Sequence, residues 1–341
     1  MNSSIRNNGI LLATKKVNSS LWLNPAPGCK WFAIISRTLI STSHRNLKTK
    51  RAASMKSIFY ITLVLALFSA KAHAQTITLP YYDSTWSKPH QPFRIAGNLY
   101  YVGTHELACF LIVGDKGHIL INTGLAESTS MIKESVEQLG FNFTDIKILL
   151  NNQAHYDHVA ALAEIQKLTG ARVYAHEADA QVLNDGGKSD YIFGALGKTF
   201  APVKVDKTLK DKDVVELGNI KLLVLHHPGH TKGATSFVLD TQDEKRKWKI
   251  LIANAPTILS QARISGMPSY PNVGKDYRYT LQSLKEQKFD IWVAAHASQF
   301  ELHKKYNPAV SYSPDAFVDP TGFEKLLQNL QGDYNKRSKE D

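Results

Sequence analysis

Two imidazoles, a carboxylate and a carboxamide lie within six consecutive residues of the chain, where residues 153–158 read Gln-Ala-His-Tyr-Asp-His. Imidazole nitrogens and carboxylate oxygens are ligands that zinc prefers. The hexapeptide directly follows the apolar, β-favouring run 146–150, so we expect a buried strand to deliver it to one edge of a sheet. This spacing is typical of a metal site at the end of a strand.

Two distant histidines follow other strand-like runs. His230 comes after the apolar run 220–225, and His296 follows the run 290–295. Since every candidate ligand lies just past a predicted strand, we predict that these side chains converge at one rim of the folded domain and bind metal there.

Two adjacent zinc ions fit these residues better than one. The neighbouring side chains of Asp157 and His158 point together only if His155 turns elsewhere, so the three do not easily share one ion. A catalytic zinc keeps one position for water, and that water loses a proton near neutral pH. The first ligand set is predicted to be Gln153, His155 and His230, and the second Asp157, His158 and His296.

The formal net charge of +11 comes entirely from the amino-terminal part of the chain. The first 74 residues carry 11 of the 41 Lys and Arg residues and none of the 30 Asp and Glu residues. Residues 75–341 are therefore formally neutral and offer no basic excess that could hold phosphates. We expect no nucleic-acid partner.

The amino-terminal region has the pattern of a secretory signal peptide followed by one domain. The apolar run 58–69 precedes small residues at 72–74, which suit cleavage after Ala74. The run is too short to span a bilayer, which takes about twenty residues. We predict a signal peptide at 55–74, a single domain at 75–341, and an exported protein with no membrane association after cleavage.

Residues 1–54 are basic, free of acidic residues and rich in Ser and Asn. Two interpretations stay open for them: a transit-like extension, or an upstream start codon that is not the protein's own, which explains the composition more simply. Of the two cysteines, Cys29 lies in this stretch, so the exported chain keeps only Cys109 and has no internal disulfide. Its stability must come from a hydrophobic core.

Apolar patterning along residues 75–341 alternates between strand and helix. Strand-like runs joined by the turn 115–117 predict an antiparallel meander, and amphipathic stripes predict helices that end near Gly140 and Gly170. The implied fold is α/β, with two sheets face to face and helices outside, a four-layer αββα sandwich. The main predicted elements are strands 100–102, 109–113, 118–121, 235–239 and 249–253, and helices 127–139, 159–168 and 322–336.

These motifs, in this order, resemble the metallo-β-lactamase superfamily over essentially all of residues 75–341. Within it the chain is most similar to subclass B3, especially the GOB type, because Gln153 stands where most relatives carry His. The resemblance implies a zinc-dependent hydrolase of the β-lactam amide bond that confers antibiotic resistance in the periplasm of a Gram-negative bacterium. Further matching landmarks are residues 121–124, 186–190, 226–233 and 296–300.

The resemblance also implies roles for the residues. Zinc-held hydroxide attacks the lactam carbonyl, and Asp157 both binds metal and orients the attacking water, which makes it the catalytic residue. For the substrate carboxylate, the family often uses hydroxyls after the third motif, and here Thr257 remains. Two roles stay open for Thr257: substrate binding, or a structural hydroxyl of its loop.

The segment 251–257 separates the candidate activities. Many glyoxalase II-type enzymes and lactonases of the superfamily place a bridging Asp there, and β-lactamases of another subclass place a Cys nearby, but this chain has Asn254 and Ala255. The alternative function, another exported zinc hydrolase of lactonase or thioesterase type, is therefore second, and a metal-binding protein without catalysis is third.

Gln153 is expected to weaken zinc binding at the first site. A neutral carboxamide oxygen is a poorer zinc donor than an imidazole nitrogen. We expect one or two zinc ions, with the site of Asp157, His158 and His296 the tighter one and able to support turnover alone. The expected partner is a small-molecule β-lactam, and we expect the protein to be a monomer.

Overall fold

The computed structural model describes residue 77 and residues 79–310 and 312–341. The predicted extension 1–54 and the predicted signal peptide 55–74 lie outside the described residues. Within the described part, no helix is long and apolar enough to cross a membrane.

The first sheet has seven strands: β1 (Phe93–Ala96), β2 (Leu99–Tyr101), β3 (Phe110–Gly114), β4 (Gly117–Ile121), β5 (Ile146–Leu150), β6 (Arg172–His176) and β7 (Lys207–Leu209). They lie in the sheet in the order of the sequence. From β1 to β4 neighbours are antiparallel, as the predicted meander requires. From β4 to β7 they are parallel, so the carboxyl ends of β4, β5 and β6 share one edge.

The second sheet has five strands: β8 (Val214–Leu217), β9 (Ile220–His226), β10 (Thr235–Gln242), β11 (Lys247–Ala253) and β12 (Ile291–Ala294). Their spatial order is β12-β11-β10-β9-β8. Strand β10 is antiparallel to both β9 and β11, and β11 is parallel to β12. The strands β9, β11 and β12 therefore end at the same edge.

The helices are α1 (Ser128–Gln138), α2 (Tyr156–Val159), α3 (Leu162–Thr169), α4 (Glu177–Asp185), α5 (Val273–Lys285), α6 (Leu302–Lys305) and α7 (Pro320–Glu340). Short 3-10 helices occupy Ser84–Trp86, Phe143–Asp145, Gly194–Leu196, Ala297–Phe300 and Pro314–Phe317. The helices α3 and α4 contact the first sheet, whereas α5 packs on α7 and α7 contacts the second sheet.

The side chains of β3 show how the layers form. Phe110 and Ile112 point into the core between the two sheets, which also contains Phe237 of the second sheet. Leu111, between them, points the opposite way and packs with Ile132 of α1 in a second core. This alternation is what a strand covered on both faces requires. The predicted four-layer αββα sandwich is confirmed.

The helix predicted over 159–168 was wrong at its start, because the structure has two helices there, α2 and α3. The amide of Ala160 donates to the carbonyl of Gly124 at 3.0 Å as well as to that of Tyr156 at 3.0 Å. The contact with Gly124 draws the chain toward the first sheet, so α2 ends after one turn. The potential metal ligands that α2 carries therefore lie at the edge of the sheet.

The two sheets are joined by hydrogen bonds at the edge where strands β5, β9 and β12 end. The amide of Ala108 donates to the carbonyl of Ala295 at 3.0 Å, and Leu107 forms an isolated antiparallel bridge with His296. The end of β12 is therefore held against the segment that leads into β3.

Candidate metal centre

The histidines are delivered by chain segments of different kinds. His155 immediately precedes α2 and His158 lies within it, so one helical turn separates their side chains. His230 follows β9 in a turn where Gly229 has φ of 132°, and a Cβ added there would lie 2.9 Å from the ring of Tyr277. Only glycine fits this approach, and it brings His230 back toward α2.

Asp157, His158 and His296 form a compact set of ligand atoms. Oδ2 of Asp157 lies 3.2 Å from Nε2 of His158 and 3.4 Å from Nε2 of His296. All three ligand atoms lie within 4.8 Å of one another. Two atoms that each bind a tetrahedral zinc at about 2.0–2.2 Å are about 3.3–3.6 Å apart, so the spacing suits ligands of a common ion.

His158 supplies an independent test of whether a metal fits. Its side chain is fully buried, at 0% exposure, and neither ring nitrogen makes a well-directed hydrogen bond to the residues that the structure describes, although Nε2 lies 3.2 Å from Oδ2 of Asp157. A buried polar atom without a partner costs about 1–3 kcal/mol. A metal ion that takes Nε2 removes one of these deficits, so the donor set fits zinc.

His155 and His230 form a second pair. Nδ1 of His155 lies 3.1 Å from Nε2 of His230, and the two rings are inclined at 66°. Burial and the neighbouring His155 lower the pKa of His230 to about 3, so its imidazole is neutral at physiological pH. Gln153, two residues before His155, is buried in the same loop. The structure therefore brings His155 and His230 together, and Asp157, His158 and His296 together, whereas for Gln153 the role of ligand stays a prediction.

Three of the four histidines, His155, His230 and His296, also have a polar partner on the other ring nitrogen. Nδ1 of His230 donates to the carbonyl oxygen of Thr257 at 2.7 Å. Nδ1 of His296 lies 3.4 Å from Oε1 of Glu106, and Nε2 of His155 lies 3.3 Å from Oδ2 of Asp190. Such outer partners fix the tautomer and direction of metal-binding imidazoles.

Asp190 and Glu106 are themselves held in place. Asp190 accepts from the amides of Ile192 and Phe193 at 2.8 and 2.6 Å, and Glu106 accepts from the hydroxyl of Ser298 at 2.6 Å. Burial opposes ionisation of Asp190, but His155 and the two amides outweigh it and lower the pKa of the carboxyl. Neither acid was predicted from the sequence to be a partner of a ligand.

Thr257 has structural contacts at the centre. Its carbonyl accepts from His230 and from the hydroxyl of Tyr277, and its own Oγ1 lies 3.2 Å from Nδ1 of His230. It also lines a cavity beside the centre. Its substrate-binding role stays a prediction.

A cavity of about 410 Å³ opens beside the centre. Most of its wall was not predicted from the sequence, since aromatic and polar side chains outside the metal motifs carry no local signal. The lining residues are Pro80, Tyr81, Trp86, Tyr156, Asp157, Phe193, His230, Thr257, Leu259, Ser260, Gln261 and His296. This volume suits a small organic molecule.

The fold and the paired ligand sets define the class of metal-dependent hydrolases with an αββα sandwich. The model of the metallo-beta-lactamase superfamily matches residues 106–243. The metallo-beta-lactamase GOB-18 from Elizabethkingia meningoseptica is 52% identical, with a TM-score of 0.77, and the match covers 79% of this chain and 100% of that chain. The class B3 di-zinc metallo-beta-lactamase LRA-12 from an Alaskan soil metagenome is 53% identical, with a TM-score of 0.75, over 77% of this chain and 99% of that chain.

A more distant relative is the hydroxyacylglutathione hydrolase GloC of Haemophilus influenzae, 24% identical over 59% of this chain and 91% of its own length. The chain belongs to the metallo-β-lactamase superfamily, and within it to the class B3 metallo-β-lactamases. The resemblance predicted from the sequence is confirmed.

Proposed function

We propose that this chain is a zinc-dependent β-lactamase that hydrolyses the β-lactam amide bond and thereby confers antibiotic resistance. The observation that supports it best is that Asp157 and His296, which cluster with His158, and His230, which pairs with His155, line one cavity in a chain 52% identical to the full length of GOB-18. Substrates are then small molecules bound in the cavity.

The residues that would hold the metal are those of the two sets. The first site would use Gln153, His155 and His230, and the second Asp157, His158 and His296. Zinc bound there would lower the pKa of a water molecule toward neutrality and polarise the lactam carbonyl.

Asp157 is the proposed catalytic residue. Burial raises its pKa, but the imidazoles of His158 and His296 outweigh burial and hold the pKa well below its usual range. The carboxylate is therefore ionised and acceptor-only at neutral pH, and it lines the cavity. A carboxylate in this state accepts a hydrogen bond from a water molecule and so aligns a lone pair of the water oxygen with the substrate carbonyl.

Thr257 is the proposed contact for the substrate carboxylate. Thr257 lines the cavity, on the loop that also contributes Ser260 and Gln261. These side chains offer neutral donors to an anionic group of the substrate. Because Thr257 also supports His230, its two open roles are compatible with each other.

We propose that the second site is the tighter of the two. It has two imidazoles and one carboxylate, whereas the first has two imidazoles and the neutral carboxamide of Gln153. Either one or two ions are then bound, depending on zinc supply.

The alternative of a lactonase or thioesterase is less supported. The relative GloC is consistent with it, but the identity is only 24%. At the position where such enzymes carry an anionic ligand, the chain has Asn254 and Ala255, both of which are buried. Neither side chain can supply a negative charge to a metal.

We further propose that the protein is exported to the periplasm by cleavage after Ala74 and acts as a monomer. The acid-free, apolar leader supports export. Amino-terminal sequencing of the secreted protein should return Gln75 as its first residue, and a mature start well before it would contradict the proposal.

A substrate panel tests the proposed activity. Purified exported protein is offered a carbapenem, a cephalosporin and an acyl-homoserine lactone, and ring opening is followed with and without a chelator. We expect opening of the β-lactam rings that the chelator abolishes. A preference for the lactone by orders of magnitude would overturn the proposal.

A further inference from the structure

The segment before β1 forms part of the cavity wall. Pro80, Tyr81 and Trp86 line the same cavity as Asp157 and His296. The wall is thus built by residues about 75 and 210 positions away from the chain segments that carry the metal ligands.

One side chain ties this segment to the metal loop. The hydroxyl of Tyr156 donates to the carbonyl oxygen of Tyr81 at 2.7 Å and accepts from the amide of Tyr81 at 3.1 Å. Tyr156 stands between His155 and Asp157 and is 3% exposed. A buried hydroxyl that satisfies both backbone groups of one residue fixes that residue in position and direction.

Aromatic rings continue the wall toward the centre. The rings of Tyr81 and Trp86 meet edge to face at 5.3 Å, and Trp86 lies 6.1 Å from the rings of both Tyr156 and His296. Phe193 lies 6.0 Å from Tyr156 on the same cavity. Tyr81 is 59% exposed, so part of its ring is free to contact a bound molecule.

We propose that Tyr81 and Trp86 form a subsite for an aromatic substituent of the substrate, and that Tyr156 is the positioning residue that sets this subsite. The inference rests on the proposed function, since it assigns the acyl side chain of a β-lactam to this wall. Aromatic faces bind apolar rings by offset or edge-to-face contact. The polar wall of Thr257, Ser260 and Gln261 comes from a different segment and does not offer such contacts.

The chain supplies a matched control for the test. Tyr82 is the next residue, is 47% exposed and does not line the cavity. The variants Tyr81→Ala, Trp86→Ala, Tyr156→Phe and Tyr82→Ala are prepared as zinc-loaded protein, and zinc content is measured for each.

Two readouts are compared for a ligand pair that differs only in an aromatic acyl group. Hydrolysis is measured with benzylpenicillin and 6-aminopenicillanic acid, and calorimetry measures binding of their two ring-opened products, which requires no turnover. We expect the parent to prefer the phenylacetyl member in both. Tyr81→Ala and Trp86→Ala should lower that preference about tenfold, and Tyr156→Phe about threefold, whereas Tyr82→Ala should retain it.

Three results would overturn the inference: Tyr81→Ala weakens binding of both products equally, Tyr82→Ala loses the preference to the same extent, or the parent shows no preference. A parent that binds the aromatic product preferentially but opens neither β-lactam ring would instead contradict the proposed function, and the two failures are thus distinguished.

Discussion

Asn152 and Thr235 exchange two hydrogen bonds between the sheets: the amide of Thr235 donates to the carbonyl of Asn152 at 2.7 Å, and Nδ2 of Asn152 donates to the carbonyl of Thr235 at 2.8 Å. Oδ1 of the same Asn152 accepts from Nδ2 of Asn122 at 2.8 Å. Asn122 follows β4 and has φ of 63°, which asparagine tolerates better than most residues. One carboxamide therefore connects β4, β5 and β10 directly before the metal loop.

Replacing Asn152 tests this connection. In Asn152→Ala the carbonyl of Thr235 and the side-chain Nδ2 of Asn122 each lose a buried partner, so we expect the free energy of unfolding to fall by about 3 kcal/mol. Chemical denaturation measures the loss. The exposed Asn335→Ala should stay within about 0.5 kcal/mol of the parent; a similarly small effect of Asn152→Ala would show that the connection is unimportant.

Two outer carboxylates should act on different zinc sites. Asp190 lies beside His155 of the first set and Glu106 beside His296 of the second. We expect Asp190→Asn to lower zinc affinity of the first site about tenfold or more, and Glu106→Gln to do the same at the second. Zinc titration of the two variants measures this, each serving as the control for the other. Identical titration curves would contradict the assignment.

Gln153→His should equalise the two sites. An imidazole in place of the carboxamide gives the first set three good nitrogen donors. At limiting zinc we expect the parent to fill one site before the other, and the variant to bind two ions with similar affinity. Metal analysis at increasing zinc measures the difference, and equal filling of both sites in the parent would count against a tighter second site.

The edge of the site could be predicted from the sequence because its signals are local. His155, His230 and His296 each stand just past an apolar run, and parallel strands bring such ends together. The break after Val159 could not be predicted in this way. It depends on a hydrogen bond between Ala160 and Gly124, and the helical periodicity of neither segment predicts that contact.

The wall of the cavity was also beyond sequence reasoning. Tyr156 contacts Tyr81 across 75 positions, and Glu106 contacts Ser298 across 192. No spacing rule applies at such separations, since the contacts arise only after both sheets have paired. Trp86 has no motif around it, and an aromatic residue in this pattern is equally compatible with a core position.

Stability should depend on pH through His227. Burial lowers its pKa to about 4, and its ring nitrogens contact the hydroxyls of Ser236 at 2.7 Å and Ser283 at 3.0 Å. Because the folded state keeps this histidine neutral, the unfolded state binds a proton at a higher pH than the folded state does. Stability is therefore unaffected above the ordinary pKa of about 6.5 and falls as pH decreases from there to about 4.

The variant His227→Gln removes this titration. Between pH 7 and pH 4 we expect the zinc-free parent to lose about 3 kcal/mol more unfolding free energy than the variant. Denaturant unfolding at both pH values gives the difference. The exposed His303→Gln should follow the parent, and a variant as pH-dependent as the parent would argue against His227 as the source.

The position of bound zinc tests most directly whether side chains that follow strands of both sheets bind the metal at one edge of the sandwich. Crystallographic anomalous scattering at the zinc absorption edge, recorded from protein prepared at limiting zinc, measures the position of the ion directly. We expect a peak within bonding distance of Asp157, His158 and His296, and a second near His155 and His230 as zinc is increased. A peak elsewhere, or imidazoles that point into separate regions, would contradict it.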